Sequence, residues 1–478
     1  MRVAIVHYHL EPGGVTRVIE NTLESFSQQS KSPQFTVLSG RKYSGERINN
    51  VQTVEGLDYS SPTNSISPVI LKERMEQAAK KGLGVKPDLW HIHNHSLGKN
   101  PSLTKAVALL AEESNPILLH PHDFAEDGRP SNFNALQEIY STAYPSSSRI
   151  HYATLNHRDH SFLKKIFSGK TSQVHLLANA ISIPLDKEVK NQSHRDLPDN
   201  LFLYPVRAVR RKNLGELALI ASAHPEKHFA NSLGPTNPNF SQLFERWTQF
   251  SKNLNLPISF GIGEQISCSF PDMLNHAEGI LTTSIAEGFG LGFLEPWMFN
   301  KFLHGRNIPE ITKDFSNLGI NLEGLYERLN IDLQHLQNKE VLKFKINTVL
   351  KKLFTDYRQA IPKDATKIAY QSMVQGNRID FGRLDEGLQE EIILSTSKSK
   401  SIQDDIRCQI KLEKLDPKII QKNKESIIGN FAQENYVKKL NGIYNELIEV
   451  KFDHLEYARG EDLLNTFLTP ERLNLLRT

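Results

Sequence analysis

The chain has 478 residues, enough for two or three domains of ordinary size. Its 57 Lys and Arg nearly balance 54 Asp and Glu, and a net charge of +3 makes no case for a nucleic-acid-binding surface. The two cysteines, Cys268 and Cys408, lie far apart, which excludes a disulfide framework and a zinc-finger spacing and fits a reducing cytosol. The start turns polar by His7, too soon for a signal-peptide core, and no apolar run is long enough to span a membrane. The expectation is a soluble cytoplasmic protein, with peripheral membrane contact left open.

A first strand is predicted at Val3 to Val6. It meets Glu11-Pro12-Gly13-Gly14-Val15, after which Val18, Ile19, Leu23 and Phe26 recur at helical spacing. Strand, glycine turn and helix make the first unit of a parallel α/β sheet. Gly13 and Gly14 let the backbone approach a phosphate at the helix N-terminus. The motif is not Gly-x-Gly-x-x-Gly, so a dinucleotide-cofactor dehydrogenase is disfavoured. Further strands fall at Phe35 to Leu38, Val51 to Val54 and Pro87 to Asn94. Strand alternation puts His91, His93 and His95 on one side, which suits a polar pocket wall or, as the minor reading, a metal. Pro116 to Phe124 is the next strand and its exit, ending in His122 and Asp123. Glu126 to Pro130 follows as a polar loop. Ile150 to Leu155 is a strand that stops at Asn156, and Asp186 to Asn200, with no hydrophobic period, reads as an interdomain linker.

A second α/β domain starts with the strand Leu201 to Val206. Arg207 and Lys212 come next, two cations after a strand that can clamp a pyrophosphate, Arg in bidentate fashion and Lys as a point charge. Arg210 and Arg211 are read as solvated. Phe270 opens a helix, and Gly279 to Ser284 is the strand that feeds Glu287-Gly-Phe-Gly-Leu-Gly-Phe-Leu-Glu295. Glu287 sits at a turn made permissive by glycine, and Glu295 falls in the first turns of a helix through Trp297 and Met298. The N–H groups of such a loop suit an anion, and carboxylates accept hydrogen bonds from hydroxyls. A phosphorylated, hydroxyl-rich molecule such as a nucleotide sugar fits both. Asp314 to Asn377 reads as a polar, lysine-rich helical insertion. Phe431 to Ile448 has the spacing of an amphipathic helix, and Thr469-Pro470-Glu471-Arg472 opens a last one.

Ser284 to Glu295 resembles the Glu-x7-Glu signature of retaining glycosyltransferases of the GT-B fold, in particular the large family 4. Arg207 and Lys212 fall at the spacing of that family's Gly-Arg-x4-Lys motif, with Val206 in place of the glycine. Pro87 to Asn94, His122-Asp123 and the Gly305 to Glu310 stretch resemble further family segments in the same order. The resemblance implies an α/β architecture of two Rossmann-like domains with parallel sheets facing a central cleft. Residues 1–190, joined by a returning 456–478, would form the acceptor domain. Residues 198–455 would form the donor domain, with a helical insertion at about 314–377. The helix near Phe431 to Ile448 would pack under the second domain.

The resemblance also implies roles. Glu295 would hold the nucleotide ribose, the Phe289-Gly290-Leu291 backbone would meet sugar and phosphates, and Glu287 would contact sugar hydroxyls. Arg207 and Lys212 would stabilise the departing diphosphate. His122 would contact the donor sugar, with Asp123 orienting it, and Gly13 and Gly14 would lie near donor phosphates and acceptor. The activity implied is transfer of a hexose from a UDP- or GDP-sugar to a hydroxyl of a small molecule, glycan or glycolipid. It needs no metal and no cofactor beyond the donor. A phosphorylase of the same fold and a non-catalytic nucleotide-sugar-binding protein remain the alternatives. Oligomeric state is not readable from the sequence.

Overall fold

A computed structural model of the chain describes residues 1–61, 65–181, 195–336 and 338–477. Most of the expected linker, Asp186 to His194, lies outside the described residues. The chain divides into two units: Met1–Ser182 with Leu353–Gln359 and Phe431–Thr469, and Ile183–Lys352 with Ala360–Asn430 and Pro470–Thr478.

The first unit is built on β1 (Arg2–His7), β2 (Gln34–Ser39), β3 (Val51–Thr53), β4 (Leu89–His93), β5 (Ile117–His120), β6 (Pro145–Ser146), β7 (Ile150–Thr154) and β8 (Val174–Leu176). All but β6 form one parallel sheet in the order β3-β2-β1-β4-β5-β7-β8. The short β6 pairs instead with Glu456–Tyr457. The strands read as near-continuous apolar runs because both faces are covered: Val3, Ala4, Ile5 and Val6 are all fully buried. The helix Gln433–Glu449 covers one face. Its Tyr436, Leu440, Tyr444 and Leu447 recur at helical spacing and pack with Ile5, Leu89 and Leu118. Each such side chain contributes about 1.5–3 kcal/mol on burial. This helix therefore belongs under the first sheet and not, as the resemblance implied, under the second.

The second unit contains β9 (Leu201–Arg207), β10 (His228–Leu233), β11 (Ile258–Phe260), β12 (Gly279–Thr282), β13 (Leu303–Arg306) and β14 (Leu325–Tyr326). They form a parallel sheet in the order β11-β10-β9-β12-β13-β14. The stretch expected to be all helical also supplies strands. Leu325–Tyr326 extends this sheet, and β15 (Asn330–Asp332) and β16 (Val374–Gln375) both pair with β17 (Arg378–Asp380), which lies just beyond that stretch, in a small antiparallel sheet. Helices Lys339–Asp356 and Ala365–Met373 account for the rest of the helical pattern. The helix expected from Thr469 does not form. The last α-helix is Gly460–Phe467, and beyond Pro470 side chains tie the chain down: Arg472 pairs with Glu310, and Asn474 donates to the Ile285 carbonyl.

In both sheets the strand order reverses beside the first strand, between β1 and β4 and again between β9 and β12. Such switch points open a crevice beyond the carboxyl ends of the strands, where ligands bind in α/β sheets. Among the described residues, no helix is long and apolar enough to cross a membrane.

Candidate active site

Most residues singled out in the sequence lie near a strand exit, in the loop that follows one or at the start of the next helix. In the first unit Gly13 precedes the helix Gly14–Ser27, directly after β1. Gly13 is extended at φ −175°, which any residue adopts. A Cβ on Gly14 would meet nothing within 4 Å among the described residues. The chain's own conformation therefore gives no reason for two glycines there.

Across the switch point, β4 and β5 end in a stack of imidazoles. His91 and His93 stack at 4.4 Å between centroids, as do His120 and His122. His93 Nδ1 meets His122 Nε2 at 2.8 Å, and His91 Nε2 meets His120 Nδ1 at 3.1 Å. Tyr444 closes the far end through His91 Nδ1 at 2.7 Å. Burial pushes His122, His91 and His7 down to about 3 and holds His93 and His120 well below the usual range. These rings are neutral at neutral pH, so His122 can exchange hydrogen bonds with a hydroxyl without bringing a charge.

Two expectations fail here. His95 leaves the row because β4 ends at His93 and Asn94 turns into the left-handed region at φ 56°. Its Nε2 goes to the Ala143 carbonyl instead. Asp123 does not orient the His122 ring: its carboxylate takes Arg129 at 2.5 Å. The residue that positions this turn is Asn94, whose Oδ1 accepts the backbone N–H groups of His122 at 2.7 Å and Asp123 at 3.2 Å. An asparagine just past a strand, where left-handed backbone is tolerated, was the available signal. One nitrogen each of His91, His93 and His120 lies within 4.8 Å of the others, near enough to hold a metal. Within this trio only His91 and His120 bond each other, His93 bonds His122, and His120 Nε2 is buried without a partner among the described residues.

In the second unit the loops after β9 and β12 are laced together. Thr283 Oγ1 donates to the Lys212 carbonyl at 2.9 Å, and Ile285 N to the Arg211 carbonyl at 3.0 Å. This brings the Lys212 ammonium onto the Glu287 carboxylate. Ser284 Oγ donates to the same carboxylate at 2.5 Å and shares a hydrogen bond with Tyr204 OH at 2.8 Å. Burial works against the Glu287 charge, but Lys212 and Arg211 outweigh it and hold the carboxyl below its ordinary value. Burial pulls the Lys212 ammonium down, and Glu287 opposes that shift. Arg207 ends β9, exposed, with one N–H on the Gly234 carbonyl at 3.1 Å. Val206, at the glycine position of the resemblance, lends its carbonyl to Asn231 and Ser232 beside an irregularity in β10.

Arg210 is only partly exposed and is not free in solvent. It forms a bidentate pair with Glu386 at 2.9 and 3.0 Å, and Arg477 joins them. Arg211 is exposed, as expected. Gly290 sits at φ 92° and leads into the turn Leu291–Phe293. Phe289 is buried, its ring edge-on to Phe315, so this loop presents backbone rather than side chain at that position. Glu295 is the first residue of the helix Glu295–Met298.

Sequence reasoning missed the buried support behind this half. Arg306 bridges Glu216 (2.6 and 2.8 Å) and Asp380 (2.8 and 3.1 Å), and Tyr326 OH donates to Glu216 at 2.8 Å. An arginine at the end of the short strand Leu303–Arg306 was the only hint.

No model of a protein family matches the chain. A mannosylglucosyl-3-phosphoglycerate synthase from Petrotoga mobilis is 27% identical over 368 residues, 71% of this chain and 70% of that protein. Sucrose-phosphate synthase from Thermosynechococcus elongatus has the same architecture, with a TM-score of 0.53 at 12% identity, over 93% of this chain and 98% of that one. The chain is a glycosyltransferase of the GT-B fold. The catalytic domain of starch synthase IV from Arabidopsis thaliana, bound to ADP and acarbose, is a further GT-B neighbour: TM-score 0.51, 11% identity, 94% of this chain and 99% of that one. At these identities the solved structures speak for the GT-B architecture, and the sequence relative carries the likeness to an enzyme that builds a glycoside.

Proposed function

We propose that the chain moves a hexosyl group from a UDP- or GDP-sugar to a hydroxyl of a small anionic glycoside, with retention of anomeric configuration and no metal in the reaction. The observation that carries this reading is the array Tyr204–Ser284–Glu287–Lys212 at the switch point of the second sheet. It holds a cation and an acid ready at strand exits, with the Gly290 loop following. In this reading Glu295 takes the ribose, and the Phe289–Leu291 backbone takes sugar and phosphates. Lys212 and Arg207 take the diphosphate. Its charge grows as the glycosidic bond breaks, so the two cations stabilise the transition state more than the bound donor. Glu287 and the neutral His122 hydrogen-bond sugar hydroxyls. The acceptor proton passes to a donor phosphate oxygen, and no side chain serves as nucleophile. The anionic acceptor is supported by the Petrotoga mobilis relative, whose named product carries 3-phosphoglycerate.

The test is product analysis by NMR with UDP- and GDP-linked glucose and mannose and a glucosylated 3-phosphoglycerate, in the presence of a chelator. The expected result is a new glycoside with the donor's α configuration. An inverted product, or activity that returns only with added metal, contradicts the proposal. Release of sugar 1-phosphate that requires inorganic phosphate would instead favour a phosphorylase.

A further inference from the structure

Away from these strand exits, β7 and β8 bring two more histidines together. Ala153 pairs with His175, so His151, two residues back, shares that face of the sheet. His175 Nε2 and His151 Nδ1 are 2.8 Å apart, with ring centroids at 4.9 Å. The helix Gln433–Glu449 adds Glu446 to the same place, and one ligand atom from each of the three lies within 4.8 Å of the other two. His151 is buried, His175 half-buried and Glu446 exposed, which gives an ion a path from water. The backbone around Glu446 is held independently of its side chain. Arg149, one residue before β7, donates Nε–H to the Val450 carbonyl at 3.0 Å, just past the helix.

We propose that His151, His175 and Glu446 bind a zinc-type divalent cation, at a site separate from the residues assigned to glycosyl transfer. Two imidazoles and a carboxylate, with water completing a tetrahedron, suit Zn2+. They do not suit Ca2+ or Mg2+, which require oxygen ligands. Ligand nitrogens around tetrahedral zinc stand ~3.3 Å apart. Entry of the ion therefore opens the His175–His151 hydrogen bond slightly, and its bridging proton moves to the other nitrogen of the same ring. Lys164 and His160 act on His175 from nearby and oppose a cation held by charge alone. The ion has to be one that imidazole itself binds. The buried trio His91, His93 and His120 is set aside because it belongs to the candidate active site. Once bound, the ion would staple the helix Gln433–Glu449 to the edge of the first sheet.

The test is calorimetric titration of the full chain, without a polyhistidine tag and stripped by chelator, with zinc chloride alone. One equivalent is expected to bind and to raise the melting temperature. Glu446→Gln, at an exposed position, is expected to weaken binding about tenfold or more, and His175→Ala about a hundredfold. His454→Ala, which removes an exposed histidine beside Asp453 and Glu456, is expected to change nothing. No binding below millimolar zinc overturns the proposal. So does binding that survives both Glu446→Gln and His175→Ala, or binding that is lost in His454→Ala.

Discussion

Lys212 answers two demands that pull against each other. Under the proposed function it is charged to meet a diphosphate, yet it is buried, and burial disfavours the ammonium. Glu287 opposes that effect by pairing with the ammonium and favouring its charged form, while the carboxylate is itself steadied by Ser284. Lys212→Ala should lower kcat about 10²–10³-fold, the usual cost of removing one group that stabilises developing charge. A steady-state assay on folded protein checks this, and a lowered melting temperature with kcat intact would reduce the pair to a structural one. Glu126 is a second buried acid and makes a prediction about pH. Tyr140 and Tyr144 donate to its Oε1 at 2.6 and 2.8 Å, while Oε2 is buried without a partner among the described residues. Burial pushes the carboxyl up to about 7. From pH ~4.5 to ~7 the folded state then keeps a proton that the unfolded state has lost, so this group's contribution to stability falls as pH rises through that window. Glu126→Gln should remove that decline and gain stability over wild type above pH 7, read from melting temperatures across the range. A wild-type and variant difference that does not change with pH contradicts it.

Glycines in the two site loops separate structural from ligand-facing demands. Gly290 has φ 92°, and a Cβ there would lie 2.9 Å from the Phe293 ring, so Gly290→Ala should cost about 1–3 kcal/mol of stability. Gly14 begins a helix with open space around it, and Gly14→Ala should be neutral or stabilising by up to about 1 kcal/mol while lowering kcat/KM. Thermal melts beside kinetics test the contrast, and full activity in Gly14→Ala would mean that no ligand approaches there. The same elements show what was legible in the sequence. Strand exits were, because β-branched runs followed by Gly, His or Arg mark them one by one. The Lys212–Glu287 contact was not, because it depends on β9 and β12 being neighbours, a matter of strand order that no local pattern encodes. The helix Gln433–Glu449 displayed its apolar face plainly, but which sheet that face covers is settled by packing against Ile5 and Leu89, hundreds of residues away. His95 was misplaced by assuming the strand alternation continued past Asn94, where the backbone turns left-handed.

At the scale of the whole molecule, two doubly wound sheets each carry a cluster of polar groups at their switch point, the imidazole stack on the first and the Lys212–Glu287 array on the second. Under the proposed function the second unit's array would meet the donor diphosphate, and His122 of the first unit would meet the donor sugar. The central claim is that the second unit's loops bind a nucleoside diphosphate through Glu295 and the neighbouring cations. It is tested most directly by the melting temperature of the full chain with UDP, GDP and ADP, beside Glu295→Ala. A ligand present at about a hundred times its dissociation constant stabilises the fold by ~2.7 kcal/mol. The account predicts that one nucleotide raises the melting temperature of the wild type and fails to do so in Glu295→Ala. A folded wild type that responds to none of them, or a variant that responds as strongly as the wild type, would contradict it.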